Sequence, residues 1–368
     1  MSQERLQRFR TWLNEQGLDA FLVTQPQNAT YLSGWANDEE GAGIALVGAG
    51  EQQQILLTST LYSEVATREA VGWQVVAPPA REFTKALAEH AHAYGWKTIG
   101  FEASAVSYSA YQAYSSAGEG IFTLKSFEQN FIETLRQVKD PQELELLRRA
   151  IAITDETFAH ICQWIQPGMT EQEVAWEVAR TMISLGADSP SFATIVASGP
   201  HGSMPHAVPS QRRIQRGELI TVDMGARYKG YCADMTRTIS LGEPAEPRMR
   251  EVYDAVLRAM KTCEQGLRAG LTGREGDALA RNVLAEAGLA DYYIHSTGHG
   301  VGLQIHETPN LSQRASETLT LPVGSVVTVE PGVYIPGWTG TRVEDCVLVT
   351  ENGVEVLTQS PTELVLQR

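Results

Sequence analysis

Two nine-residue stretches of this chain read as the same buried strand ending in an acid. Gly217–Gly225 (GELITVDMG) and Gly324–Gly332 (GSVVTVEPG) lie 107 residues apart, and each runs through a mostly apolar tetrad to a carboxylate, Asp223 or Glu330. A charge that closes a buried strand is strongly unfavourable unless something pairs with it, and a divalent cation is the usual partner. After each first acid a hairpin-like stretch carries a second one, Asp234 at +11 and Glu344 at +14. Any fold of this chain must therefore bring two acid-tipped hairpins to a place where their charge is compensated.

The repetition extends beyond the strands. Gly168-Met169-Thr170 opens one helix and Gly270-Leu271-Thr272 opens another 102 residues later. Ser198-Gly199 through His206 likewise parallels Thr297-Gly298 through His306. Each half thus supplies a helix pair, a strand with a histidine, and a hairpin with two carboxylates. The offsets drift, as in a diverged duplication rather than a solenoid array. Two such halves facing each other set four acids around one cleft.

Residues 1–128 have a different character. Leu6, Phe9, Leu13 and Leu18 recur at near-helical spacing, and the short apolar strand Ala20–Val23 follows. Further strands are predicted at Gly43–Val47, Gln54–Thr58, Trp73–Val76 and Thr98–Phe101, with helices over 60–70, 81–94 and 106–116. This is an α/β domain. Phe131–Ala150 leads into a long charged helix whose start is marked by Asp140 as N-cap and Pro141 at the first helical position. The predicted domains are 1–128 and 129–368.

The formal charge of −15 argues against nucleic acid or an anionic membrane as partner. No stretch approaches the ~18 uninterrupted apolar residues that span a bilayer, and Met1–Arg5 is polar with no apolar leader core. Cytoplasmic localisation is expected. Cys162, Cys232, Cys263 and Cys346 form no CxxC pair, which fits reduced thiols. Cys232 and Cys346 each lie two residues from a hairpin acid, where a small buried gap-filler is the expected role and metal ligation the alternative.

Asp223, Asp234, Glu330 and Glu344 are joined by His299, which sits in Ser296-Thr297-Gly298-His299-Gly300-Val301-Gly302. The glycines allow close backbone approach and leave the imidazole open to a metal. A strand-end or capping role explains any one of these residues, but not five in related places. Four carboxylates and one imidazole are more than one ion needs and suit two sharing bridging carboxylates. Such a centre suggests a hydrolase. Oxygen donors favour Mn²⁺, with Co²⁺ or Zn²⁺ as alternatives. His206 and His306 hold equivalent positions in the half-repeats and can face the cleft, where an imidazole donates to an oxyanion or shuttles a proton. His295 is a third candidate. Arg342 shares a strand face with Glu344, where it either binds a substrate carbonyl or carboxylate or pairs structurally with the acids.

The runs Thr221–Thr238 (TVDMGARYKGYCADMTRT), His295–Pro309 (HSTGHGVGLQIHETP), Val329–Tyr334 (VEPGVY) and Thr341–Asp345 (TRVED) resemble the pita-bread metallopeptidases. These comprise methionine aminopeptidase, aminopeptidase P and prolidase, with creatinase as a non-metal relative. The resemblance covers essentially the whole chain, because residues 1–128 look like the creatinase/prolidase N-terminal domain, which methionine aminopeptidases lack. It implies a C-terminal α+β pita-bread fold with an internal pseudo-twofold repeat. It also implies Asp223, Asp234, His299, Glu330 and Glu344 as ligands of two metal ions, Glu330 as general base, and His306 as stabiliser of the tetrahedral intermediate. His206, His295 and Arg342 would contact substrate. A homodimer is the family expectation.

The implied substrate is a proline-containing di- or oligopeptide. The proline imide nitrogen offers no N–H, so a site relying on metals and imidazoles loses nothing there. An Xaa-Pro dipeptidase is the first expectation and an Xaa-Pro aminopeptidase the alternative. A dipeptidase needs a cation for the product carboxylate, for which Arg342 is a candidate. Asp38, Glu39 and Glu40 could reach a substrate ammonium, or form a solvated acidic loop. A metal-dependent amidase acting on a small non-peptide compound, and a non-catalytic peptide-binding module, are the competing classes. Retention of all five ligands opposes the latter.

Overall fold

The computed structural model describes residues 2–36, 43–128 and 131–367, so the acidic run Asp38, Glu39 and Glu40 lies outside the described residues. The chain divides into two compact units, 1–136 and 137–368.

The first unit contains α1 (Ser2–Glu15), β1 (Ala20–Val23), α2 (Pro26–Ser33), β2 (Gly43–Gly48), β3 (Gln54–Thr58), α3 (Ser63–Glu69), β4 (Gln74–Val76), α4 (Phe83–Tyr94), β5 (Thr98–Glu102), α5 (Tyr108–Ala117), β6 (Thr123–Phe127) and α6 (Phe131–Gln137). Its sheet has the order β4-β3-β2-β1-β5-β6, parallel at β4/β3, β1/β5 and β5/β6 and antiparallel at β3/β2 and β2/β1. Leu22, Leu46, Ile55 and Ile99 pack with Ala86, Leu87 and Ala91 of α4 into one core. The helix α2, with Pro26 in its first turn and Gly34 as its left-handed C-cap, draws further support from a distant strand. The buried Glu102 carboxylate accepts the Thr24 and Gln25 N–H groups at 2.6 and 2.7 Å, just before Pro26 starts the helix. The predicted boundary at 128/129 falls short of α6. Phe131 of α6 stacks on Trp12 with centroids 5.9 Å apart, and Arg136 donates to Asn28 at 2.8 Å, so this helix packs with the first unit.

The second unit begins with α7 (Pro141–Trp164) and α8 (Glu171–Ser184). Asp140 caps α7 as expected, accepting from Gln142 and Glu143 while Glu143 returns a bond to the Asp140 N–H. The strands of this half are β7 (Ser189–Pro190), β8 (Ile195–Ser198), β9 (Leu219–Met224), β10 (Ala226–Tyr228), β11 (Tyr231–Cys232) and β12 (Met235–Leu241). The next half comprises α9 (Pro247–Gly266), α10 (Gly273–Glu286), β13 (Gly298–Gly300), β14 (Glu307–Leu311), β15 (Val326–Val329), β16 (Gly332–Ile335), β17 (Thr339–Arg342), β18 (Asp345–Val349) and β19 (Val354–Val356), and β20 (Val365–Leu366) closes the chain.

The duplication is visible in the packing. Thr170 and Thr272 form the same capping box, with Glu173 and Glu275, at the starts of α8 and α10. The first half's sheet, β20-β12-β9-β8, receives Ile153, Phe158, Val174 and Val178 from α7 and α8 on Val196, Ile220, Val222 and Ile239. The second half's sheet, β14-β13-β15-β18-β19, receives Val256, Met260, Ala280 and Leu284 from α9 and α10 on Val327, Val329 and Val347. Each such side chain contributes roughly 1.5–3 kcal/mol by leaving water.

The β9/β12 pairing aligns Asp223 with Thr236, so Asp234 follows Asp223 across the ladder. The sharp turn between them lies at Lys229 and Gly230, with φ of 47° and 84°, at the tip of the β10/β11 extension. At Gly225 the backbone bends against the returning strand: a Cβ there would stand 1.8 Å from the Ala233 carbonyl oxygen. Gly225→Ala is therefore expected to destabilise the protein by about 1–3 kcal/mol, read as a lowered urea midpoint. An unchanged midpoint would contradict this account of the hairpin.

Candidate metal centre

Asp223 lies near the end of β9, Asp234 between β11 and β12, His299 in the middle of β13, Glu330 just after β15, and Glu344 between β17 and β18. All five line one cavity of about 500 Å³, together with His206, His295, His306, Tyr334 and Arg342. Every site residue read from the sequence, apart from the acidic run outside the described residues, is brought to this cavity.

The glycine-rich strand explains how β13 and β15 converge here. A Cβ at Gly298 would stand 1.9 Å from the Thr328 carbonyl oxygen, so only glycine lets β13 lie this close to β15. The His299 Nδ1 lies 3.0 Å from the Gly300 carbonyl oxygen. A carbonyl can only accept, so in the neutral ring Nδ1 carries the proton and the Nε2 lone pair points into the cavity. His299 Nε2 is 3.3 Å from Glu330 and 3.6 Å from Asp234. Asp234, His299 and Glu344 each present a ligand atom, all within 4.8 Å of one another, and could hold a metal ion.

The acids are not neutralised by the protein alone. Arg342 donates to Asp223 at 2.5 Å, and Thr236 donates to Glu344 at 2.7 Å. Asp223 Oδ1 and Glu344 Oε1 remain buried with no hydrogen-bond partner. Burial, reinforced by Glu344, holds the Asp234 carboxyl well above the usual range. Burial and the neighbouring Glu330 do the same to Glu344. Burial also raises Asp223, although Arg342 opposes it. For Glu330 burial acts upward too, but the hydrogen bond and charge of His299 outweigh it and bring the group down to about 2. Orphaned carboxylate oxygens, a His299 Nε2 that a metal can take over from its proton, and excess negative charge fit divalent cations.

The remaining side chains show what sequence reasoning missed. Tyr334 accepts a hydrogen bond from Arg342, and its oxygen is 3.0 Å from His295 Nε2; His295 Nδ1 donates to the Ser296 carbonyl at 2.7 Å. Both ring nitrogens of His295 are thus engaged. Arg342 further donates to Thr236 at 3.0 Å and to the Pro205 carbonyl at 3.5 Å, so much of its guanidinium serves the site's own architecture. Tyr334 stands within the VEPGVY run, and Thr236 is one alternation beyond Asp234; that face pattern was the available signal. His306 packs edge-on against His299 with centroids 4.3 Å apart, and burial together with His299 holds its pKa below the usual value. The Cys346 thiol is pushed up by burial and donates to the Asp234 carbonyl oxygen at 3.2 Å, the behaviour of a buried structural cysteine. No helix among the described residues is long and apolar enough to cross a membrane.

Comparison with known proteins agrees with this geometry. The model of metallopeptidase family M24 matches residues 145–351, and that of the creatinase/prolidase N-terminal domain matches residues 5–138. An Xaa-Pro dipeptidase of Pyrococcus furiosus is 37% identical over 364 residues, spanning 98% of this chain and 99% of its own. The structure of an Xaa-Pro dipeptidase from Bacillus anthracis superposes with a TM-score of 0.92 at 39% identity, covering 99% of both chains. An X-Pro aminopeptidase from Thermotoga maritima gives 0.86 at 35% identity, covering 95% of this chain and 98% of its own.

The raised acids make the metal-free protein pH-sensitive. A carboxyl whose folded pKa exceeds its unfolded value binds protons better when folded, so stability falls as pH rises above the ordinary carboxylate range of about 4. Divalent cations remove that penalty by replacing the protons. Mn²⁺ is expected to raise the thermal midpoint over that in chelator, and by more at about pH 8 than at about pH 5. No shift, or a shift that shrinks as pH rises, would contradict the assignment.

Proposed function

The chain belongs to metallopeptidase family M24, and on that premise we propose that it is an Xaa-Pro dipeptidase working with two divalent ions. The family implies divalent metal ions. Mn²⁺ is our assignment, with Co²⁺ or Zn²⁺ as alternatives, because oxygen donors dominate the set. The observation that carries the reading is the cluster itself: four carboxylates and the His299 Nε2 in one cavity, with two buried carboxylate oxygens unpartnered. Asp223, Asp234, His299, Glu330 and Glu344 would hold the ions. The proposed setting is a cytoplasmic homodimer, with residues 1–136 as the N-terminal domain and 137–368 as the catalytic one, and with neither nucleic acid nor membrane as partner.

When bound, the ions supply polarisation of the scissile carbonyl and a lowered pKa for water. The protein's own groups do the rest. Glu330 takes the proton of the attacking water and delivers it to the leaving nitrogen. That delivery matters for an Xaa-Pro bond, whose nitrogen has no N–H and leaves as an amine only once protonated. His306 is neutral near pH 7 and donates its ring N–H to the developing oxyanion. His206 orients the peptide, and His295, both of whose ring nitrogens are engaged, lines the cavity beside it. Phe192, Ile195, Val208 and Ile305 give the cavity an apolar wall suited to a pyrrolidine ring.

A second reading, Xaa-Pro aminopeptidase, draws on one observation. Arg342 is the cation lining the described cavity that could meet a dipeptide's carboxylate, and it is already bonded to Asp223 and Tyr334.

Hydrolysis of Ala-Pro, Ala-Pro-Ala and Met-Ala-Ser in Mn²⁺ separates the readings. Cleavage of Ala-Pro alone is expected; release of Ala from the tripeptide would favour the aminopeptidase, and no cleavage of any would refute the peptidase assignment. His306→Ala should retain metal but lose roughly 2–4 kcal/mol of transition-state stabilisation, measured as kcat/KM. Unchanged kcat/KM would remove His306 from the mechanism.

A further inference from the structure

Two buried carboxylates outside the cavity hold the segments that carry the site's histidines. Glu171, the first residue of α8, is fully buried. It accepts five hydrogen bonds: the Ser198 N–H and hydroxyl, each at 2.8 Å, the His201 Nδ1 at 2.8 Å, and the Ser210 N–H and hydroxyl at 3.2 and 2.8 Å. Ser198 and Ser210 are the two ends of the loop that carries His206 and Val208 into the cavity. Between them only a short 3₁₀ turn, Gly199–Ser203, is regular, so one carboxylate pins both ends of a segment without a strand ladder.

The second half repeats the device. Asp277 of α10 is buried and accepts the Thr297 N–H at 3.1 Å and its hydroxyl at 2.9 Å. Arg281 grips both Asp277 oxygens at 2.6 and 2.9 Å and donates onward to the Tyr293 and His295 carbonyls. The Thr297 carbonyl in turn accepts the Glu330 N–H at 2.8 Å. Ser198 and Thr297 are the matching residues of the internal repeat, so each half ties its histidine segment to its own helix by a buried acid.

We propose that Glu171 and Asp277 are positioning residues with divided labour: Glu171 governs peptide affinity through the His206 loop, and Asp277 governs turnover through Thr297 and Glu330. The division follows from what each segment carries: the first brings His206 and an apolar wall, the second the base and a ligand histidine. Charge-assisted bonds in a dry setting are stronger than neutral ones, and leaving their donors unsatisfied displaces the segment they hold. The inference rests on the Xaa-Pro hydrolase reading, with His206 at the substrate and Glu330 as base.

The test uses the full Mn²⁺-loaded chain and Ala-Pro. Glu171→Gln, and the milder Ser210→Ala, are expected to raise KM by about tenfold and a few-fold respectively, on the scale of one charged hydrogen bond, with kcat within about twofold. Asp277→Asn, and the near-isosteric Thr297→Val should the former not fold, are expected to lower kcat by about tenfold with KM little changed. A purely structural role would leave every KM, and kcat per active site counted by bound Mn²⁺, at the wild-type value. That result, or equal movement of KM and kcat in both sets, overturns the proposal. If the wild-type chain cleaves no peptide, it is the hydrolase reading that fails. Hydrogen exchange then decides the positioning roles: Ser210→Ala should accelerate exchange between 199 and 209 but not at Glu330, and Thr297→Val the reverse. Exchange that rises equally in both regions, or in neither, overturns them.

Discussion

Repulsion among four carboxylates in one buried cavity is the constraint on which the rest of this structure depends. Asp223, Asp234 and Glu344 are buried, and the Glu330 side chain is 17% exposed. Brought together without compensation, they would unfold the strands that carry them. Arg342 answers Asp223, His299 answers Glu330 and Thr236 answers one oxygen of Glu344, yet two carboxylate oxygens stay unpartnered. The remainder has the size and sign that divalent cations satisfy. A site of this kind is stable only where metal is bound or protons substitute for it.

The duplicated architecture is the means of assembling such a cluster from strands rather than loops. Each half ends one strand in an acid and returns with a second, and helices fill the opposite face with apolar side chains. Neither half holds the full ligand set, so the centre exists only where both meet. Supporting groups follow the same logic. Thr236 bonds both Glu344 and Arg342, and the Arg342–Tyr334–His295 chain ties three elements of the site together.

The sequence revealed those parts whose chemistry clashes with their surroundings. A carboxylate after Leu-Ile-Thr-Val or Val-Val-Thr-Val is conspicuous, and the repeat makes the coincidence specific. Asp140-Pro141 and the two Gly-x-Thr helix starts were legible because capping is a local affair. Features that depend on partners distant in the chain were not. Helix α2 owes its start to Glu102, 74 residues beyond its Asn28. The affiliation of α6 with the first unit turns on Phe131 meeting Trp12 and Arg136 meeting Asn28. Glu171 and Asp277 occupy ordinary helical positions for an acid, and nothing in their neighbours announces Ser198 or Thr297. The commitment of Arg342 to Asp223 and Tyr334, which bears on how the far end of a substrate is held, likewise emerges only from the fold.

The central claim is that this cluster holds two divalent ions in each chain. Equilibrium dialysis of the purified protein against Mn²⁺, with bound metal counted by elemental analysis, tests it most directly. The account predicts two ions per chain in the wild-type protein and their loss in Asp234→Ala. A wild-type chain that binds one ion or none, or an Asp234→Ala variant that still binds two, would contradict it.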